Sequence, residues 1–315
     1  MHPLTTRLFK LALPLAVAAA TGGAQAGTLG AFTSDSKGFD THTYWYDDGQ
    51  EVTVIDTQFV PALTQAMIDK IRATTRSPIT RVVVTHPNPD KFNGLSVLHA
   101  LGAESIGSQA TAAAMPGVHA YKKYFWVNMA KAFTDETYPK FEPLKTTFSG
   151  QKTIRLKSGE TLTLIELKNP GVSSTQTVVR IDSTGELIVG DLVQHGAHLW
   201  LEGGIVDGKP RPDLKAWRAA LAELPALGKG KVYGGRGAVA PVGAAVQQGS
   251  AYLVRADEIT TRYVQTVPSA ELKDPAKAQA HYAALQKQFE AAFPGYTLPY
   301  LIGYGIYGLV DSKVK

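Results

Sequence analysis

The chain has 315 residues, a formal net charge of +5 and no cysteine. Its length suits one large domain or two fused halves, and its basic residues form no run dense enough for nucleic acid. The missing cysteines exclude disulfides, thiolate metal ligands and thiol nucleophiles, so stability has to come from a packed core.

Residues 1–26 predict a signal peptide. Arg7 and Lys10 supply a basic start, Leu11 to Ala20 an apolar run, and Ala24-Gln25-Ala26 a small-residue cleavage site. The run falls short of the ~20 residues of a bilayer span, and no later segment is long and apolar enough for one. Cleavage near Ala26 then delivers a periplasmic or secreted protein.

Next, Tyr44 to Tyr46 and Glu51 to Asp56 read as a hairpin around Asp47-Asp48-Gly49. Pro61 opens a helix whose Leu63, Met67, Ile68 and Ile71 share one face. A strand over Arg81 to Thr85, a helix from about Leu95 to Leu101 and a strand over Ser105 to Ser108 follow. This alternation marks an α/β layer. Residues 111–148 form an insert with a helical stretch carrying Tyr121, Tyr124, Phe125 and Trp126.

Short strands then run over Thr153 to Leu156, Leu162 to Leu167, Thr177 to Ile181 and Leu187 to Val189. Leu214 to Leu224 is an amphipathic helix with Trp217 on its apolar face. Lys231 to Tyr233 is a strand entering Gly234-Gly235-Arg236-Gly237. Asp274 caps a last helix, Pro275 to Phe293.

The segment of greatest chemical interest is the turn after Val82-Val83-Val84, which presents His86, Asn88, Asp90 and Lys91 from one tip. With Asp56, Pro170-Gly171-Val172-Ser173, Gly190-Asp191 and Gly235-Arg236-Gly237, it resembles the metallo-β-lactamase-fold hydrolase superfamily in order and spacing. The likeness runs from Tyr44 to Pro241. It implies a four-layer αββα sandwich of the α/β class: one domain over 27–315, with a core at about 44–241 and a C-terminal helical extension at about 242–315.

Carried over residue by residue, the resemblance assigns a first zinc site to His86, Asn88 and Val172. The second falls on Asp90, Lys91 and Arg236, with Asp191 bridging. Zinc sites use imidazole, carboxylate and thiolate ligands, so only His86, Asp90 and Asp191 remain as metal ligands. They would hold one Zn²⁺ or similar divalent ion at a non-standard site. Without it, Asp90 and Asp191 would repel in a partly dry pocket. Lys91 and Arg236 are therefore expected to complete an ion network in the place of the second metal.

The expected catalytic set is His86 as general base with Asp90, Asp191 and Lys91. Substrate-binding roles fall to Arg236, His195, His198, Asn88 and Ser173. Each has a plainer alternative. His86 can brace its loop, His195 and His198 can line a rim with Trp200, and the insert aromatics can be core. A Ser173–Lys91 nucleophile lacks the strained turn that activates such a serine. The resemblance implies hydrolysis of a small ester, lactone, amide or phosphoester. The alternative is a non-catalytic binder of a small anionic ligand in the former active-site pocket. Either takes a small-molecule partner, with no nucleic acid and no membrane span.

Overall fold

Two six-stranded sheets lie face to face with helices on their outer sides. The computed structural model describes residues 27–314, so the expected signal peptide and its cleavage point near Ala26 lie outside the described residues. The first sheet runs in chain order: β1 (Thr28–Thr33), β2 (His42–Asp47), β3 (Val52–Ile55), β4 (Ile79–Val83), β5 (Glu104–Ser108) and β6 (Thr146–Phe148). Its first three strands are antiparallel, and β3 to β6 are parallel.

Parallel neighbours need crossovers. Helices α1 (Pro61–Thr74), α2 (Pro89–Phe92), α3 (Leu95–Ala100) and α4 (Gln109–Tyr124) supply them. Strand alternation decides what meets what. Val82 and Val84 pack outward with Met67, Ile68 and Ile71 of α1 and Leu95 and Leu98 of α3, while Val83 points between the sheets. Each such buried side chain contributes roughly 1.5–3 kcal/mol.

The second sheet takes β7 (Gln151–Arg155), β8 (Thr161–Glu166), β9 (Thr177–Ile181) and β10 (Leu187–His195). A small ribbon of β11 (Gly204–Val206) and β12 (Lys209–Arg211) intervenes. Strands β13 (Lys231–Gly237) and β14 (Ala240–Pro241) then complete the order β14-β13-β10-β9-β8-β7. Ile188 faces the first sheet. Leu187 and Val189 face an outer layer of α5 (Leu214–Leu227), α6 (Val242–Thr266), α8 (Pro275–Ala292) and α9 (Tyr300–Asp311), with α7 (Ser269–Lys273) between α6 and α8. This is the four-layer αββα arrangement that the sequence resemblance implies.

Several elements exceed what local sequence predicts. Strand β1 and helices α6 and α9 carry no clear signal of their own, and β10 runs on through Asp191 to His195. The insert helix α4 passes directly into a π turn, Phe125–Met129.

Candidate active site

The site loop begins where β4 ends. Asn88 is extended, as a residue before proline must be, and Pro89 starts the single-turn α2. That turn carries Asp90 and Lys91 inward, and both are buried. From the other sheet, β10 breaks register with β13 at Gly190, whose φ of 51° belongs to the left-handed region. A Cβ there would lie 2.4 Å from Thr85 Oγ1, so only glycine lets Asp191 enter the site. Gly235 serves the same end on β13, because its Cβ would lie 1.8 Å from Asp191 Oδ1.

These turns bring four charges together. Lys91 Nζ lies 2.9 Å from Asp90 Oδ2 and 2.9 Å from Asp191 Oδ1. The Arg236 guanidinium donates to Asp191 Oδ2 at 2.5 Å, to Asp90 Oδ2 at 3.0 Å, to Thr41 Oγ1 at 2.8 Å and to the Phe39 carbonyl at 2.7 Å. Phe39 and Asp40 take positive φ of 63° and 50°, a costly backbone that presents this carbonyl. Burial alone would raise the Asp90 carboxyl, but Lys91 and Arg236 outweigh it and hold it below the usual carboxylate range. Asp191 is lowered likewise against its burial, by Arg236 and then Lys91. Burial works against the charged Lys91 too, yet Asp191 and Asp90 raise its ammonium above the ordinary value. The network expected from the substitutions is therefore present as a closed set of ion pairs.

His86 stands behind it, fully buried. Burial pushes its imidazole down to about 4 against the pull of Asp191, so it is neutral near pH 7. Its Nδ1 lies 2.9 Å from Thr85 Oγ1, and the Thr85 hydroxyl donates to Asp56 Oδ2 at 2.8 Å. When Asp56 is ionised the threonine proton is committed to it, so Nδ1–H must donate to Thr85. This assignment leaves Nε2 as a bare lone pair. That nitrogen lies 3.8 Å from Asp191 Oδ2 and has no hydrogen-bond partner. Burial raises Asp56 to about 7, against the opposing effect of Lys91 and the Thr85 hydrogen bonds.

Only about 30 Å³ of open space adjoins the network, lined by Asn88, Asp90, Asp191, Arg236 and Lys122. That volume holds about two waters. Phe39, Phe59, Trp126 and Trp200 close it from above, with ring centroids 5.0–5.7 Å apart around Phe39. Trp126 belongs to the 111–148 insert, and it acts as a plug.

The remaining candidates lie elsewhere. His198 Nδ1 meets the Tyr252 hydroxyl at 2.9 Å among the Tyr252, Phe293 and Tyr296 rings. His195, opposite Gly237, lines a different small cavity. Trp200 borders the site, but neither histidine joins it there. Ser173, expected to bind substrate, is buried beside a cavity shared with Gly204 and Arg211 and is not among the residues that line the space at the ion network. Asn88 does border the site. Sequence reasoning missed Thr41 and the Phe39 carbonyl, which Arg236 reaches from far along the chain. It also missed Glu202, which pairs with Lys122 and accepts from Trp200 Nε1 at 2.9 Å. No local motif marks any of these.

Zinc does not fit this donor set. Asp90 Oδ2 and both Asp191 oxygens are already bonded to an ammonium or a guanidinium. Among the described residues, no group of three or more histidines and carboxylates is placed to hold a metal. The non-standard site expected from His86, Asp90 and Asp191 is thus corrected, since Lys91 Nζ stands between the two carboxylates. The pocket expected to be lined by cations is closed in this structure. Each cation is neutralised by both carboxylates, and the space is too small for an ester or phosphate.

A sequence model described as the metallo-beta-lactamase superfamily matches residues 37–236. Among solved structures, a metallo-beta-lactamase from Pontibacter korlensis superposes with a TM-score of 0.52 at 19% identity, covering 71% of this chain and 93% of that one. The metallo-beta-lactamase FIM-1 from Pseudomonas aeruginosa, in a mono-zinc form, gives 0.50 at 16% identity, with 72% and 91% covered. At such identities the likeness is one of fold.

Proposed function

The chain belongs to the metallo-β-lactamase superfamily, and from that premise we propose that it is an exported, zinc-independent member that binds a small molecule. Its fold is that of a hydrolase superfamily, but function resides in the site rather than the fold. One observation carries the reading: Lys91 Nζ bridges Asp90 and Asp191 at 2.9 Å each, where a divalent ion would have to sit. The former centre then acts as a structural lock between the two sheets. Export is supported by the leader pattern of residues 1–26.

The test is elemental analysis of the purified protein, prepared without chelator, together with melting in added zinc. The expected result is substoichiometric metal and an unmoved melting temperature. Near-stoichiometric zinc would overturn the reading.

One feature favours a second reading, metal-independent hydrolysis of a small ester, lactone, amide or phosphoester. Where Asp56 is ionised, the neutral His86 Nε2 offers an unpartnered lone pair towards Asp191, as a general base for water would. Access would require Trp126 and Trp200 to swing aside. Turnover on such a panel that disappears in His86→Gln would establish this reading; no turnover by the wild type would remove it.

A further inference from the structure

Beyond the aromatic plug lies a much larger cavity, of about 1000 Å³, between the insert and the C-terminal helices. One wall is α4 and the π turn, with Tyr121, Tyr124 and Phe125. The other is α8 and α9, with Tyr282, Tyr304 and Tyr307. Tyr304 forms the partition to the former centre, stacking on Trp200 at 6.0 Å and meeting Trp126 at 6.0 Å.

Three independent features point to a ligand. First, large apolar side chains are left open on the concave wall, with Tyr124 61% and Met129 63% exposed. Such surface is costly in water unless something covers it. Second, the wall contains a π turn, a rare helical form that recurs at functional sites. Third, the buried polar groups behind the wall fix a hydrogen-bond direction. The Glu202 carboxylate can only accept, and it receives Lys122 Nζ, Trp200 Nε1 and the Tyr307 hydroxyl. The Tyr307 proton is therefore spent, so its oxygen accepts from the Tyr121 hydroxyl 3.0 Å away. Tyr121 in turn keeps a lone pair and no free proton. The charged residues on the lining, Lys273 and Asp311, are of opposite sign.

We propose that this cavity binds an uncharged, mainly apolar small molecule whose N–H or O–H group donates to the Tyr121 oxygen. The aromatic walls supply the contact area and Tyr121 sets the orientation, the usual division of labour in small-molecule sites. The proposal deepens the binding function proposed above and rests on it.

The probe is N-phenyl-1-naphthylamine, an uncharged aromatic carrying one N–H, titrated into the chain expressed with its own leader and purified. Saturable fluorescence enhancement at one probe per chain is expected. Gln279→Trp, at an exposed position on the α8 wall, should weaken binding at least tenfold while leaving the melting temperature in place. Tyr121→Phe should weaken it about tenfold, the value of one hydrogen bond. An N-methylated probe, lacking the donor, should bind the wild type and Tyr121→Phe alike. Non-saturable uptake, or equal affinity in Gln279→Trp, would overturn the proposal. Zinc content and turnover are read on the same preparation. Stoichiometric zinc with probe binding intact defeats the zinc-independent reading alone, whereas unsaturable probe on a zinc-free protein defeats only the cavity.

Discussion

Lys91 Nζ and Asp191 Oδ1 lie 2.9 Å apart, and both side chains are shut off from solvent. Lys91 sits on α2, after β4 of the first sheet, and Asp191 on β10 of the second, so their pairing ties the halves of the sandwich together where the site loops converge. A buried pair of this kind is costly to form and costlier to break, because the survivor is left charged without a partner.

Lys91→Met should therefore cost about 3–5 kcal/mol in urea unfolding, since it leaves Asp90 and Asp191 facing each other with Arg236 alone. Adding Asp191→Asn should recover part of that loss. Additive costs for the two changes would mean that the residues do not act as one network.

Imidazoles in place of the two cations should create a metal site on this backbone. Lys91→His combined with Arg236→His would leave two imidazoles with Asp90 and Asp191, a four-ligand set that zinc accepts. This variant should bind about one zinc per chain by elemental analysis, with a melting temperature that rises on adding zinc and falls with chelator. A variant that stays metal-free and melts alike in both would show that the turns have drifted from ligand geometry.

Asp56 and His86 oppose each other in pH dependence. Asp56 is raised from 3.8 to about 7, so the folded state binds its proton more tightly, and that contribution is lost as pH rises from 4 to 7. His86 is lowered from 6.5 to about 4, so its contribution is lost as pH falls through the same window. A tenfold change in proton affinity on folding is worth about 1.4 kcal/mol, and between pH 4 and 6.5 the two slopes largely cancel. Asp56→Asn should unmask His86, giving a melting temperature that drops steadily below pH 6.5. A pH profile unchanged from the wild type would show that Asp56 is not protonated in the folded protein.

Much of this centre was legible because its pieces are local. The Val82-Val83-Val84 run, the Asn88-Pro89 break, Gly190-Asp191 and Gly235-Arg236-Gly237 each constrain the backbone within a few residues. Charge balance then dictates that Lys91 and Arg236 answer Asp90 and Asp191. The plug was not legible, because Phe39, Phe59, Trp126 and Trp200 come from four separate segments whose meeting depends on tertiary packing. Within the extension expected to be helical, the bounds of α9 were not legible, because Gly303, Gly305 and Gly308 interrupt an otherwise apolar stretch. His195 and His198 were misplaced because β10 continues past Asp191, carrying them away from the pocket instead of folding back over it.

The plug itself can be tested through Arg236, whose side chain is 2% exposed beneath it. Phenylglyoxal modifies only guanidinium groups it can reach, so peptide mass mapping of the native protein should find Arg236 unlabelled while exposed arginines such as Arg255 react. Trp126→Ala removes one roof ring. It should cost about 3–5 kcal/mol, as other buried aromatic truncations do, while the ion pairs below keep the site assembled. In that variant Arg236 should become labelled without global unfolding, because solvent and reagent then enter from the side of Tyr304. Prompt labelling of Arg236 in the wild type would mean that the aromatic roof opens freely in solution. The former centre would then be within reach of a small molecule after all, and hydrolysis at His86 would become the stronger reading.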